Sequence, residues 1–122
     1  MRGDYVVDLG LRNILSSKAY TVDQGCKLEN IVYFELLRRG GKVYAGKNKD
    51  KEIDFVVQNP SNDRAYYQVA FSVNDENTFE REISAFKNMK DNYPKFLLTL
   101  DYDNSNIDGI QKINVIDWLL QN

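Results

Sequence analysis

The stretch KEIDFVVQNPSNDRAYYQVAFS, residues 51–72, reads as two β-strands around a turn. Ile53-Asp54-Phe55-Val56-Val57 is apolar but for Asp54, and Tyr67-Gln68-Val69-Ala70-Phe71 is apolar but for Gln68. Between them, Pro60-Ser61-Asn62-Asp63 supplies turn chemistry. Successive strand residues point to opposite faces, so Gln68 and Ala70 share one face while Val69 points to the other. An acid on one strand, followed by two same-face positions on the next, is a layout suited to phosphodiester chemistry. There oxygen ligands hold Mg²⁺, and a nearby cation positions water and stabilises charge on phosphorus. In this chain a glutamine, Gln68, takes the place of the second acid, and Ala70 takes the place of the cation.

Working outward, residues Cys26 to Arg39 read as a helix closed by Gly40-Gly41. Leu28, Ile31, Val32, Tyr33, Phe34, Leu36 and Leu37 cover most of its circumference, which predicts a largely buried helix. Its two interior acids differ. Glu35 has Arg38 and Arg39 three and four residues ahead, the arrangement of a solvated ion-pair face. Glu29 has Val32 and Tyr33 at those positions, so its carboxylate stands among apolar neighbours. Strand-like runs follow at Lys42–Gly46, Glu52–Gln58 and Ala65–Val73, then an amphipathic helix over Asp75–Lys90 carrying Phe79, Ile83 and Phe86. Lys95–Leu100 reads as a buried strand. The acidic stretch Asp101–Gly109 reads as a loop, Lys112–Val115 as a short strand, and the segment with Trp118, Leu119 and Leu120 as a closing helix. This order predicts one α/β domain, a mixed sheet flanked by helices. Residues 5–15 read as a β-prone run passing through Asp8-Leu9-Gly10 into a short helix, and the abrupt start suggests an excerpt from a longer architecture.

Composition narrows the function classes. With 122 residues, 43% hydrophobic and 28% charged, the chain suits one soluble domain. No apolar run nears the ~20 residues that span a bilayer, and Cys26 is the only cysteine, so a cytoplasmic setting is expected. There is no histidine, which removes Ser-His-Asp and Cys-His catalysis. Net charge is −2, against a globally basic nucleic-acid binder, yet Arg38, Arg39, Lys42, Lys47, Lys49 and Lys51 outnumber Asp50, Glu52 and Asp54 locally. That cluster reads either as a phosphate-binding patch or as a solvated hairpin rim. Asp54 and Glu29 also have plain readings, Asp54 capping a turn or paired with Lys51, and Glu29 paired with Lys27 or reaching solvent past Tyr33. The eight tyrosines would suit base stacking, but Tyr33, Tyr44, Tyr66 and Tyr67 read rather as core or strand-rim residues.

Helix-borne Glu29, then Asp54, then Gln68-Val69-Ala70 in an αβββαβ order resembles the PD-(D/E)XK nuclease superfamily, a restriction-endonuclease-like fold. The stretches YVVDLGLRN (5–13), LENIVYFELLRRGGKVYAGKNKDKEIDFVV (28–57), YYQVAFSVNDENTFEREISAFKNMKDNYPKFLLTLD (66–101) and GIQKINVIDWLL (109–120) resemble more closely a domain of unknown function. That domain lies at the C-terminus of many prokaryotic AAA+ ATPase-like proteins, where a P-loop ATPase module and a winged-helix segment precede it. The resemblance implies that residues 1–15 correspond to the junction after the winged helix. No G-x-x-x-x-G-K-[ST] occurs in this chain, so no ATPase activity of its own is expected. The implied site is Glu29, Asp54 and Gln68, a weak Mg²⁺ set because the Gln68 amide brings no charge, with Ala70 in place of the catalytic lysine. Loss of one charge-stabilising group costs ~10²–10³ in rate, and Lys87, Lys90 and Lys95 are candidates for a relocated lysine. The resemblance therefore implies a non-catalytic accessory domain that binds nucleic acid through the six hairpin-region cations, or binds a protein partner, the ATPase module first. The alternatives are an active Mg²⁺-dependent nuclease with a Glu-Asp-Gln site, and a structural module packed on the ATPase. On this reading Glu29, Asp54 and Gln68 converge, and Glu35 stands apart with Arg38 or Arg39.

Overall fold

A computed structural model describes residue 12 and residues 22–89 and 91–121. The N-terminal junction expected over residues 1–15 thus lies outside the described residues, Arg12 excepted. Helix α1 (Val22–Arg38) is followed by strands β1 (Lys42–Asn48), β2 (Lys51–Gln58) and β3 (Arg64–Val69). Helix α2 (Glu76–Ile83), a 3₁₀ turn (Ser84–Phe86), strands β4 (Lys95–Thr99), β5 (Ser105–Ile107) and β6 (Ile110–Asn114), and helix α3 (Val115–Leu120) complete the chain. The six strands form one sheet in the order β1-β2-β3-β4-β6-β5. β1, β2 and β3 run antiparallel, β3, β4 and β6 run parallel, and β5 turns back along β6. The expectation of an α/β mixed sheet flanked by helices holds at that level.

Alternation along the strands builds two cores. Tyr67, Val69, Leu98 and Val57 pack with Leu28, Ile31, Val32 and Leu36 of α1 and with Val115 and Trp118 of α3. On the opposite face Ile53, Tyr66 and Leu97 pack with Ile83, Ala85 and Phe86. Tyr66 and Tyr67, like Leu97 and Leu98, are adjacent residues serving opposite cores, as the two-residue strand period requires. Both leucines are fully buried, which contributes ~1.5–3 kcal/mol each. α1 stops where Gly40 takes φ +91 and donates its N–H to Leu37 O at 3.0 Å, a left-handed C-terminal cap. Contrary to the expectation of burial all round, α1 leaves Tyr33, Phe34 and Leu37 exposed, because the sheet covers only the 28/31/32/36 stripe.

Three further elements differ from the sequence reading. β3 ends at Val69 rather than Val73: Ala70 and Phe71 still bond Leu98 and Leu100 of the β4 side, but Asp101 then draws Ser72 and the Val73 N–H out of line. α2 ends at Ile83 and tightens into the 3₁₀ turn, with the Ser84 hydroxyl donating to Arg81 O at 2.6 Å. The expected acidic loop contains β5, joined to β6 by Asp108-Gly109, both at positive φ, as a two-residue hairpin turn demands.

One irregularity positions the site. β1 and β2 pair Tyr44 with Val56 and Gly46 with Ile53, so Ala45 faces both Asp54 and Phe55. This bulge puts Ile53 and Val56, three residues apart, on the same core and re-aims Asp54 between them.

Candidate acidic site at the strand fork

The β2–β3 ladder has its last backbone pair at Phe55 and Tyr67. One step further, Asp54 and Gln68 face each other where the two strands part. Gln68 Oε1 accepts from the Asp54 N–H at 2.7 Å, and Asp54 Oδ2 accepts from the Val69 N–H at 2.9 Å. Two side chains thus take over the main-chain bonds that the diverging strands no longer exchange. Gln68 is buried, so both ends of its amide need partners. Its Nε2 donates to Glu82 O at 3.2 Å and to a Glu82 carboxylate oxygen at 3.3 Å.

Three carboxylates surround this fork, one from each layer: Glu29 from α1, Asp54 from β2 and Glu82 from α2. Burial raises the Glu29 pKa, and the Asp54 charge raises it further. Burial also raises the pKa of Asp54, with a smaller push from Glu52, while the Val69 N–H works against the shift. Glu82 is pushed up to about 7, chiefly by burial and then by Asp54, with Arg81 opposing and Glu29 adding to the rise. The helices lie on opposite faces of the sheet, so their acids reach each other only around its open fork. Asp54 and Gln68 thus bond directly, and Glu29 lies near enough to Asp54 for their charges to interact.

Glu82 is the member that the sequence reading missed. It occupies the apolar stripe of α2, three residues after Phe79 and four before Phe86. The argument that singled out Glu29, a carboxylate at a core-facing helical position, applies equally to it.

The remaining candidates fall elsewhere. Ala70 is half-buried against the Ile53–Leu97 core, and its N–H donates to Leu98 O at 3.0 Å. Lys95 Nζ is held by Asp91 at 3.1 Å and by Tyr93 O at 3.0 Å. Lys87 is exposed, and Lys90 lies outside the described residues. The buried Lys112 bonds Asp101 at 3.2 Å and Asp103 at 2.9 Å, locking β6 to the loop after β4.

Glu35 does sit with Arg38 and Arg39, but not on a solvated face: it is 2% exposed. Arg38 grips both its carboxylate oxygens at 2.8 and 2.7 Å, and Arg39 Nε adds a third bond at 2.7 Å. Together these bonds hold the Glu35 carboxyl below its ordinary pKa against the opposing effect of burial. Arg39 also lies 4.3 Å over the Trp118 ring and donates to Trp118 O and Gln121 O, roofing the core at the end of α3. The six candidate nucleic-acid cations therefore divide. Arg38 and Arg39 are engaged by Glu35, while Lys42, Lys47, Lys49 and Lys51 are exposed on the β1–β2 hairpin.

A Mg²⁺ shell needs near-octahedral oxygens at ~2.0–2.1 Å. Among the described residues, no three His, Cys, Asp or Glu side chains are grouped to hold one ion. The fork as arranged does not fit that metal, since the bonding atoms of Asp54 and Gln68 are turned to the backbone.

Comparison with known proteins gives two relatives. An uncharacterized protein of Haemophilus influenzae is 45% identical over 118 residues, covering 96% of this chain and 28% of the relative. An uncharacterized protein of Methanocaldococcus jannaschii is 33% identical over 124 aligned positions, covering 93% of this chain and 25% of the relative. The chain thus spans about a quarter of the length of the curated relatives it matches. No family model matches it. No solved structure matches it either.

Proposed function

We propose that this chain is a non-catalytic accessory domain with a restriction-endonuclease-like core, belonging with an AAA+ ATPase module and binding nucleic acid. One observation carries the loss of catalysis. Asp54 and Gln68 spend their facing polar atoms on clasping β2 to β3, and Ala70 stands where a charge-stabilising lysine would be needed. A fork with three acids and no lysine repels a phosphodiester rather than activating it. The binding role is supported by the exposed hairpin lysines Lys42, Lys47, Lys49 and Lys51. The relatives are about four times as long as the aligned region, which leaves room in them for the ATPase module that the resemblance implies.

A second reading, docking on that ATPase, has its own observation: Tyr33, Phe34 and Leu37 form an exposed apolar strip on α1. The deciding experiment incubates the purified chain with plasmid, single-stranded and four-way-junction DNA in Mg²⁺ or Mn²⁺, with and without EDTA. No EDTA-sensitive cleavage is expected. Cleavage that vanishes both with EDTA and in Asp54→Ala would replace this reading with an active nuclease.

A further inference from the structure

Away from the fork, the α2 side of the β1–β3 meander carries two cross-strand rows. Tyr44, Val56 and Tyr66 stand in register across β1, β2 and β3. Two residues along, Lys42, Gln58 and Arg64 stand in register in the same order. At ~3.4 Å per residue the rows are roughly 7 Å apart, and the strand period puts both on one face. A row with a tyrosine at each end and a valine between therefore runs beside a row of cation, amide and cation.

The face is covered in part: Tyr66 is buried against Ile83 and the 3₁₀ turn, with Val56 packed beside it, while the β1 edge and the outer row stay open. Tyr44 is 47% exposed, and Lys42 and Arg64 are exposed. The floor is lowered at Gly46, where a Cβ would come 2.3 Å from Val56 Cγ2, so no other residue lets β1 approach so closely. The resulting cleft, about 280 Å³, is lined by Tyr44, Lys47, Gln58, Arg64, Tyr66 and Met89 among others, with no carboxylate. It adjoins at Gln58 a second depression that holds Lys42 and Asn59 and likewise lacks an acid. The next cleft along the sheet differs, since Asp91 and Asp108 line it. Asp91 reaches the edge of the first cleft, where the Tyr66 hydroxyl donates to its Oδ2 at 2.8 Å, so the acid-free part of the face is the part over β1 and β2.

We propose that this face is a groove for single-stranded nucleic acid, with a base stacked on Tyr44 and phosphates held by Lys42 and Arg64. The inference rests on the nucleic-acid reading proposed above and names its surface. The cleft lies just below the ~300 Å³ at which small-molecule sites begin, and it is open, which suits a chain lying across it. A single strand is selected because Tyr44 needs an unstacked base face, and a duplex keeps its base faces to itself. Gln58, between the cations, brings both a donor and an acceptor for a sugar or base edge.

The test is a set of fluorescence-anisotropy titrations of the whole chain against labelled dT and rU oligomers of about 12 nucleotides, and a duplex of equal length, at ~50 and ~200 mM salt. Both single strands should bind more tightly than the duplex, and the dT and rU arms separate DNA from RNA as the source. Tyr44→Ala should weaken binding roughly tenfold, while Tyr44→Phe, which keeps the ring, should bind as the wild type does. Arg64→Glu should weaken binding and flatten the log–log salt dependence by at least ~0.7. Thermal melts confirm that the variants fold, which is expected because both side chains are exposed. Single-strand binding that both Tyr44→Ala and Arg64→Glu leave unchanged overturns the groove but not the nucleic-acid role. Binding confined to the duplex does the same. Absence of binding to any of the three polymers at ~50 mM salt overturns both.

Discussion

Replacing Asp54 in two ways separates the two jobs its carboxylate can have. Asp54→Ala removes the acceptor of the Val69 N–H, which belongs to a buried residue at the fork. An orphaned buried donor costs ~1–3 kcal/mol, and this variant should lose about that much stability. Asp54→Asn keeps an oxygen where Oδ2 stands and removes the charge that burial disfavours and that raises the pKa of both Glu29 and Glu82. It should be neutral, or stabilising by up to ~1 kcal/mol at pH 8 once solvent screening is allowed for. The pH dependence has a definite sign. Each of the three acids has a folded pKa above its unfolded value, so the folded state keeps protons that the unfolded state has already released. Stability therefore falls as pH rises between the unfolded and folded values, and the Asp54→Asn advantage appears at pH 8 and fades below the ordinary carboxylate range. Urea unfolding of wild type and both variants at pH 4.5 and 8 reads this directly. If Asp54→Asn costs as much as Asp54→Ala at pH 8, the negative charge itself is needed, and the account of a clasp holding repelling acids is wrong.

Two other substitutions probe the same reasoning. Glu82→Gln keeps an acceptor for Gln68 and removes a carboxylate held at about 7 against an ordinary 4.5. The full shift corresponds to ~3 kcal/mol. Because the group is only partly buried, a gain of ~1 kcal/mol is expected at pH 8, with none at pH 4.5, and a pH profile parallel to that of wild type would count against it. At the other end of α1, Glu35→Ala should lower the urea-unfolding free energy by ~2–4 kcal/mol. That is near the cost of breaking a buried pair, reduced because Arg38 and Arg39 are 40% and 30% exposed and can be rehydrated. Arg38→Ala should cost less than ~1 kcal/mol, and equal losses in the two variants would mean that the Trp118 roof does not depend on Glu35.

What the sequence made legible, and what it hid, follows from the range of the interactions. The strand pair over residues 51–69 shows in the alternation of its apolar residues, and Glu29 betrays itself by its apolar i+3 and i+4 neighbours. Both signals are local. The burial of Glu35 is not, because Arg39 is held by carbonyls 79 and 82 residues further on. From sequence alone the same Glu-Arg-Arg spacing reads as a surface ion pair. The bulge at Asp54 is also a property of two strands, visible only once Ala45 is seen opposite two residues. β5 was hidden for a different reason: it is three residues long, two of them, Ser105 and Asn106, are poor strand formers, and only the Asp108-Gly109 dipeptide signalled the hairpin.

The glutamine at position 68 then has a physical explanation of its own. Its two amide ends do opposite work at once, accepting from the Asp54 N–H and donating toward the backbone and carboxylate of Glu82. A glutamate there could accept but not donate. It would leave the Glu82 carbonyl without this partner and set a fourth carboxylate beside three whose pKa values are already raised. A lysine in place of Ala70 would not by itself create a phosphodiesterase site, because its charge would be neutralised by this cluster while Asp54 stayed turned to Val69. Glu82 and Gln68 thus act together: the helix acid calls for a donor on the strand, and the donor removes the charge that a metal needs. That dependence makes the fork a clasp between β2, β3 and α2. It leaves the outer row of the β1–β3 meander, where Lys42, Gln58 and Arg64 stand beside the exposed Tyr44, as the surface on which the proposed contact with a polyanion depends.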